Sequence, residues 1–205
     1  VGGARPGRGA HLSGAAGDEL AGFELSAGQV GALALGVVLI FWAVGAYNRL
    51  VALRNTVADA WAQVHEGLKR RAEAAAPLAA LLAAPLASEQ RALDTWLADH
   101  ATAERAAANM AARPLDAARA AAWLAAEATL AASTSRVFAL MDGAGALPER
   151  ERVAELVAGW RGGEQQAQFA RRLFNDAAEA HDAAVRQFPT TVLARLYAFA
   201  PAGRL

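Results

Sequence analysis

The side chains best suited to acid–base or metal chemistry are the four histidines, His11, His65, His100 and His181. His65-Glu66 begins like a zincin motif, which needs a second histidine four residues on to put both imidazoles on one helical face. That position is Lys69, so the metal geometry is absent, and the histidines are expected to be solvated on helix faces. Ser133-Thr134-Ser135 offers hydroxyls without an adjacent histidine or aspartate to activate them, and reads as a helix-surface patch. Gly143-x-Gly145 and Gly162-Gly163 lack the preceding strand and the following Lys-Ser/Thr of a phosphate-binding loop. The chain has no cysteine, which excludes thiolate zinc sites, cysteine nucleophiles and disulfide scaffolds. No catalytic residue, cofactor or metal site is therefore expected.

Two charged clusters remain. Lys69-Arg70-Arg71 lies roughly 35 Å beyond Tyr47 along a straight helix, too far for the headgroups of the same membrane. One reading is a solvated face pairing with Glu66 and Glu73 at helical spacing. The other makes Lys69, Arg70 and Arg71 protein contacts, to acidic groups of another helix or of a neighbouring subunit. Arg171-Arg172 with Asp176 poses the same choice. Asn55, Glu164, Arg171 and Asn175 could also meet between the first and last helices as a structural polar knot, since buried polar groups need partners.

The elements that would position these residues follow from composition and periodicity. A length of 205 residues fits one domain with an appendage, and 20 basic against 20 acidic side chains argue against a nucleic-acid partner. Of the 55% hydrophobic share, much is alanine, with 58 of the residues. Alanine has the best helix propensity and little to bury, so an all-helical protein with a thin, small-residue core is expected.

Residues 1–24 are rich in Gly, Ala and Arg and read as a flexible tail. Residues 25–48 carry no charge, and Val30–Tyr47 would cover roughly 27 Å as a helix, about the thickness of a bilayer core. Trp42 and Tyr47 stand where aromatic rings favour the membrane interface, and Arg49 follows them. A cleaved signal peptide would have a shorter apolar run and a basic rather than an acidic approach; Asp18, Glu19 and Glu24 precede this one. An uncleaved single-pass anchor is expected. Arg49, Arg54 and the later basic triplet place the following residues on the cytoplasmic side by the positive-inside rule.

After the anchor, Leu50, Leu53, Val57, Trp61, Val64 and Leu68 share one helical face close to a heptad seam. The helix is expected to run on from the membrane span as a rod and to weaken near Pro77 and Pro85. A second helix opens near Ser88, with Leu93, Trp96 and Leu97, and ends at Arg113-Pro114. A third runs from about Leu115 through Trp123, Leu124, Leu130, Val137, Phe138 and Met141 to the break at 142–148. A fourth runs from Glu149 through Phe169, Leu173 and Val185 to Phe188, with a possible break at Gly162-Gly163. The fold expected is all-α: a transmembrane helix continuing into an elongated antiparallel four-helix bundle over 49–188. The apolar tail, 189–205, either caps the bundle or meets lipid or a neighbouring subunit through Leu196, Tyr197 and Phe199.

The block Tyr47-Asn48-x-Leu50-Val51-x-Leu53-Arg54-Asn55-x-Val57-x-x-Ala60-Trp61, followed by Leu68-Lys69-Arg70-Arg71, resembles the N-terminal signature of the LemA family. Glu164-Gln165, Ala170-Arg171-Arg172-x-Phe174-Asn175-Asp176, Phe188-Pro189 and Tyr197-Ala198-Phe199 resemble its later motifs. The chain departs from the family at Glu73-Ala-Ala-Ala-Pro77-Leu78, which lacks an asparagine, and at His181-Asp182, where Tyr-Asn is usual. It resembles a divergent member. The resemblance implies a small membrane-anchored four-helix bundle of the bacterial inner membrane and no known reaction. Some relatives are lipoproteins, and others are tied to the formation of magnetosome compartments.

Three functions then compete. One is a non-enzymatic scaffold that forms a homo-oligomer and organises the lipid bilayer. Another is an adaptor or sensor presenting a helical face to a membrane protein such as a protease or kinase. The third, an enzyme, would need a pocket that the sequence gives no reason to expect.

Overall fold

The structure is a computed structural model, and it describes residues 2–3, 26–145, 147, 149–187 and 202–205. The described residues form four α-helices: α1 (Ala27–Leu82), α2 (Gln90–Ala112), α3 (Ala117–Gly143) and α4 (Arg150–Arg186). A short 3-10 turn, Ala87–Glu89, precedes α2, and no strand occurs among the described residues. The chain divides into two compact units at Trp42/Ala43.

In the first unit, the apolar part of α1 turns large side chains outward, among them Leu33, Ile40 and Phe41. An 18-residue window of α1 has mean hydropathy 2.2, and none of it is buried. By length and composition that stretch is long enough to cross a membrane.

The second unit is a four-helix bundle. Trp61 of α1 lies against Phe174 of α4, and Arg71 of α1 against Glu164 of α4, so the partner's number falls as α1 advances and the two helices are antiparallel. Trp96 of α2 meets Thr134 of α3, while Met110 and Ala120 share a cluster nearer the turn between them. That pair is antiparallel too.

Two large apolar clusters and a small one of Leu50, Ala184 and Val185 fill the bundle. One large cluster packs Leu78, Leu82, Trp96, Leu130, Val137 and Trp160; the other packs Val57, Trp61, Val64, Trp123, Ala170 and Phe174. Trp61 stands perpendicular to Trp123 with ring centroids 5.1 Å apart, the edge-to-face arrangement that aromatic quadrupoles favour. Alanines occupy much of the remaining interior, as the composition requires.

Helix ends differ in detail from the sequence expectation. α3 is capped by Asp116, whose carboxylate accepts from the Ala118 and Arg119 amides and satisfies two of the donors left open at a helix start. Pro77 does not end α1. The residue is exposed, and Ala74, Ala75, Leu78, Ala79 and Leu82 around it are all buried. Packing of that face outweighs the lost backbone hydrogen bond, a cost of about 3 kcal/mol.

Gly162-Gly163 does not break α4 either, and Gly163 lies where the backbones of α1 and α4 approach closely. A Cβ on Gly163 would lie 2.7 Å from the Gly67 carbonyl oxygen, and one on Gly67 would lie 2.6 Å from the Ala167 nitrogen. Both obstacles are backbone and cannot swing aside. Phe169 and Leu173 are exposed, since the buried face of α4 follows Trp160, Gly163, Ala167, Ala170 and Phe174.

The crossing gives a clean mutational contrast. Gly67→Ala or Gly163→Ala should destabilise the bundle by about 1–3 kcal/mol or more, as overpacking against backbone does. Gly162→Ala meets nothing within 4 Å and should stabilise by about 0.5–1 kcal/mol through helix propensity. Chemical denaturation of the three variants checks this; equal effects would place the close contact elsewhere.

Candidate functional site

One turn beyond the Gly67–Gly163 crossing, α1 presents Arg71 to the interior. It belongs to the buried row Val64, Leu68, Arg71, Ala75, Leu78, so helical periodicity alone carries its guanidinium inward. Its exposure is 5%, and a buried charge of this kind must be paired. Nη1 donates to Glu127 Oε2 at 2.7 Å and to Glu164 Oε2 at 2.8 Å, while Nη2 donates to Glu127 Oε1 at 2.7 Å. The fork on Glu127 is bidentate, the strongest arrangement open to these groups. Glu127 comes from α3 and Glu164 from α4, so one side chain ties three helices together. Gln168 Nε2 donates to the free side of Glu164 at 3.0 Å.

Aromatic rings close the cluster. The Arg71 guanidinium lies 5.4 Å from the Trp160 ring centroid, and His100 of α2 lies 5.7 Å from the same ring. Burial would lower the Arg71 pKa, but the hydrogen bonds and charge of Glu127, and then of Glu164, outweigh it, and the guanidinium is held above its ordinary value. For His100 the balance runs the other way. Burial is the largest effect and lowers its pKa; Glu104 raises it, Arg71 lowers it and Glu127 raises it, for a net shift downward. The Nδ1 atom stands 3.6 Å from a Glu104 carboxylate oxygen.

A groove of about 560 Å³ runs past this cluster, lined by Arg71, Thr134, Ser135, Trp160, Glu164 and Arg171 among others. A smaller hollow of about 130 Å³ opens on the other side of Arg71, toward His65, Lys69, His100 and Glu104. The hydroxyls near the groove are already engaged. Ser135 and Ser133 donate to helix carbonyls, and Thr134 accepts from the Trp96 indole. The arrangement can hold charge and fix helix register, and the hydrogen bonds of Ser133, Thr134 and Ser135 go to backbone carbonyls and the Trp96 indole. No group of three metal-ligating side chains occurs among the described residues.

Several residues singled out from sequence take other places. Arg71 makes its acidic contacts on other helices of its own bundle, whereas Lys69 and Arg70 are exposed. The proposed knot of Asn55, Glu164, Arg171 and Asn175 does not form, and its four members lie apart. Glu164 joins Arg71; Arg171 lies over the Trp123 ring at 5.3 Å; Asn175 bonds the backbone of Leu205 through both its amide atoms. Asn55 is exposed on α1. Trp42, Tyr47 and Arg49 are exposed as well, while Leu196, Tyr197 and Phe199 lie outside the described residues.

His100 and His181 are buried rather than solvated. His100 follows Leu93 and Trp96 on the core face of α2, and His181 follows Phe174, Ala177 and Ala178 on that of α4. Glu127 was missed from the sequence, although its place between Trp123 and Leu130 at helical spacing marks it as an inward carboxylate.

An all-α bundle with an internal ion cluster, on a chain whose first helix begins with an exposed apolar stretch, fits a membrane-associated helical protein. The LemA family model matches residues 60–204, most of the chain. The chain belongs to the LemA family. The match takes in the middle helices, which the sequence motifs did not reach, and begins after most of the Tyr47–Trp61 block. No curated protein and no solved structure matches the chain.

His100 makes the bundle sensitive to acid. Its folded pKa lies below the ordinary value of about 6.5, so on acidification the unfolded chain takes up the proton first. The His100 contribution is therefore fully present above pH about 6.5 and declines as pH falls below it. Replacing His100 by Gln should flatten the pH dependence of unfolding free energy between pH 7 and 5. An unchanged slope would show that the imidazole is as free to protonate in the fold as outside it.

Proposed function

We propose that this protein is a non-enzymatic, single-pass scaffold of the bacterial inner membrane that self-assembles through its bundle and organises or shapes the bilayer. The observation that carries the reading is the uncovered apolar stretch of α1, Val30–Tyr47, on the same helix that supplies one wall of the bundle. Such a stretch calls for lipid around it, and Trp42, Tyr47 and Arg49 supply the aromatic and basic side chains that suit the interface. The bundle follows on the cytoplasmic side by the distribution of Arg49, Arg54, Lys69 and Arg70. Arg71 is taken up by Glu127 and Glu164 of its own chain, which leaves Lys69 and Arg70 on the surface for lateral contacts with acidic groups of neighbouring copies. Leu196, Tyr197 and Phe199 are assigned to lipid or subunit contact.

A second reading is an adaptor that offers a helical face to a membrane protease or kinase. It is favoured by Phe169 and Leu173, one turn apart on α4 and both exposed, a pair of large apolar side chains that a partner would cover.

Particle size decides between them. Light scattering on the full-length protein in mild detergent should find large assemblies, and Lys69→Glu with Arg70→Glu should shrink them without loss of helical circular dichroism. Wild-type protein that runs as a monomer or dimer would contradict the scaffold, and loss of a co-purifying partner on Phe169→Ser would then support the adaptor.

A further inference from the structure

The short segment Ala202–Leu205 is held on the bundle by a set of backbone hydrogen bonds. The Ala202 amide donates to Asp182 Oδ1 at 2.7 Å, in a buried setting. The Gly203 amide donates to the Leu115 carbonyl at 3.1 Å, in the turn between α2 and α3. Asn175 reads Leu205 from both sides: Oδ1 accepts its amide at 2.8 Å, and Nδ2 donates to its carbonyl at 2.6 Å.

The spacing of the readers matches the spacing of what they read. Asp182 and Asn175 lie seven residues apart on α4, about 10.5 Å along the axis at 1.5 Å per residue. Ala202 and Leu205 lie three residues apart, about 10 Å in an extended chain. The segment thus runs antiparallel to α4, with one fixed contact at each end.

The seat also selects side chains. Ala202 is buried, and Leu205 packs against the cluster around Trp61 and Trp123. A Cβ on Gly203 would lie 2.7 Å from the Ala117 Cα, so only glycine fits there. Arg204 is exposed, with its guanidinium 3.7 Å from Glu179. The cleft therefore accepts an extended small–Gly–any–apolar tetrapeptide.

We propose that this cleft is a self-association site, which takes the Ala202–Leu205 segment of a second copy of the chain in place of its own. The join between α4 and the segment is far longer than the gap it closes. Asp182, which holds Ala202, is only five residues before Gln187, yet residues 188–201 intervene; at about 3.3 Å per residue their covalent reach is several tens of ångström. The same hydrogen bonds form within one chain or between two, as in exchange of identical elements between protomers. Effective concentration then decides which mode prevails, and confinement of anchored copies to one membrane raises it for the neighbour. The inference rests on the proposed anchoring and self-assembly.

The chain has no native cysteine, so paired thiols report the exchange directly. One full-length copy carries Glu179→Cys and a differently tagged copy carries Arg204→Cys; the two are co-expressed, kept in the membrane and treated with a short bis-maleimide. Replacing this exposed pair removes little stability. A cross-linked heterodimer is expected, and Gly203→Val on the Arg204→Cys copy should lower its yield about tenfold or more, as loss of roughly 1.4 kcal/mol of docking would. Gly203 lies outside the helices, so this variant leaves them intact. No heterodimer, with efficient closure inside a single Glu179→Cys/Arg204→Cys chain, would overturn the proposal. If large assemblies persist in that case, self-assembly stands without the exchange. Heterodimers that form while light scattering finds nothing larger than a dimer would support the exchange and remove the scaffold.

Discussion

A guanidinium enclosed in a bundle of alanine has few ways to be stable, and much of this fold follows from the one it takes. Arg71 cannot return to water, because the residues before and after it on its helical face are buried. It needs carboxylates, and they must come from the helices it faces. Glu127 on α3 and Glu164 on α4 meet it at 2.7 and 2.8 Å. That reach sets the register of three helices at once. A shift of either partner by one turn, about 5.4 Å, would leave a buried charge uncompensated. The tight crossing beside it serves the same end: without a Cβ on Gly67 or Gly163, α1 and α4 can approach until their backbones touch. The cluster separates two apolar layers, one organised by Trp96 and Trp160 and the other by Trp61, Trp123 and Phe174.

The division of charge also bears on what the protein can do. Lys69, Arg70 and Arg71 are consecutive, yet successive residues of a helix point about 100° apart, so only the third enters the core. A basic triplet in sequence thus becomes two surface cations and one structural one. Arg171 lies over the Trp123 ring of its own bundle. The surface that remains exposed includes Lys69 and Arg70 and the Phe169–Leu173 pair.

Much of the architecture was legible in the sequence because it rests on local rules. The apolar stretch of α1, the 3–4 spacing from Leu50 to Leu68, and the breaks at Arg113-Pro114 and 142–148 are each visible within a few turns. The misreadings concern residues whose meaning depends on a facing helix. Gly162-Gly163 is a helix-breaking pair by propensity, but Gly163 is a close-contact point by packing. Pro77 weakens a free helix and is tolerated in one whose other face is fully packed. His100 and His181 are polar by type, but share a face with tryptophan and phenylalanine. Glu127 carried a signal, its spacing from Trp123 and Leu130, whereas nothing in the sequence links Asn175 to a backbone thirty residues away.

The central claim is that Arg71, Glu127 and Glu164 act as one interior unit, and a double-mutant cycle on unfolding free energy tests it most directly. Arg71→Met should cost about 3–5 kcal/mol, because it leaves the largely buried Glu127 and the half-buried Glu164 without their cation. Adding Glu127→Leu should restore much of that loss, since removing both buried partners is far less damaging than removing one. Costs that simply add, or an Arg71→Met effect below about 0.5 kcal/mol, the range of ordinary surface substitutions, would contradict the account.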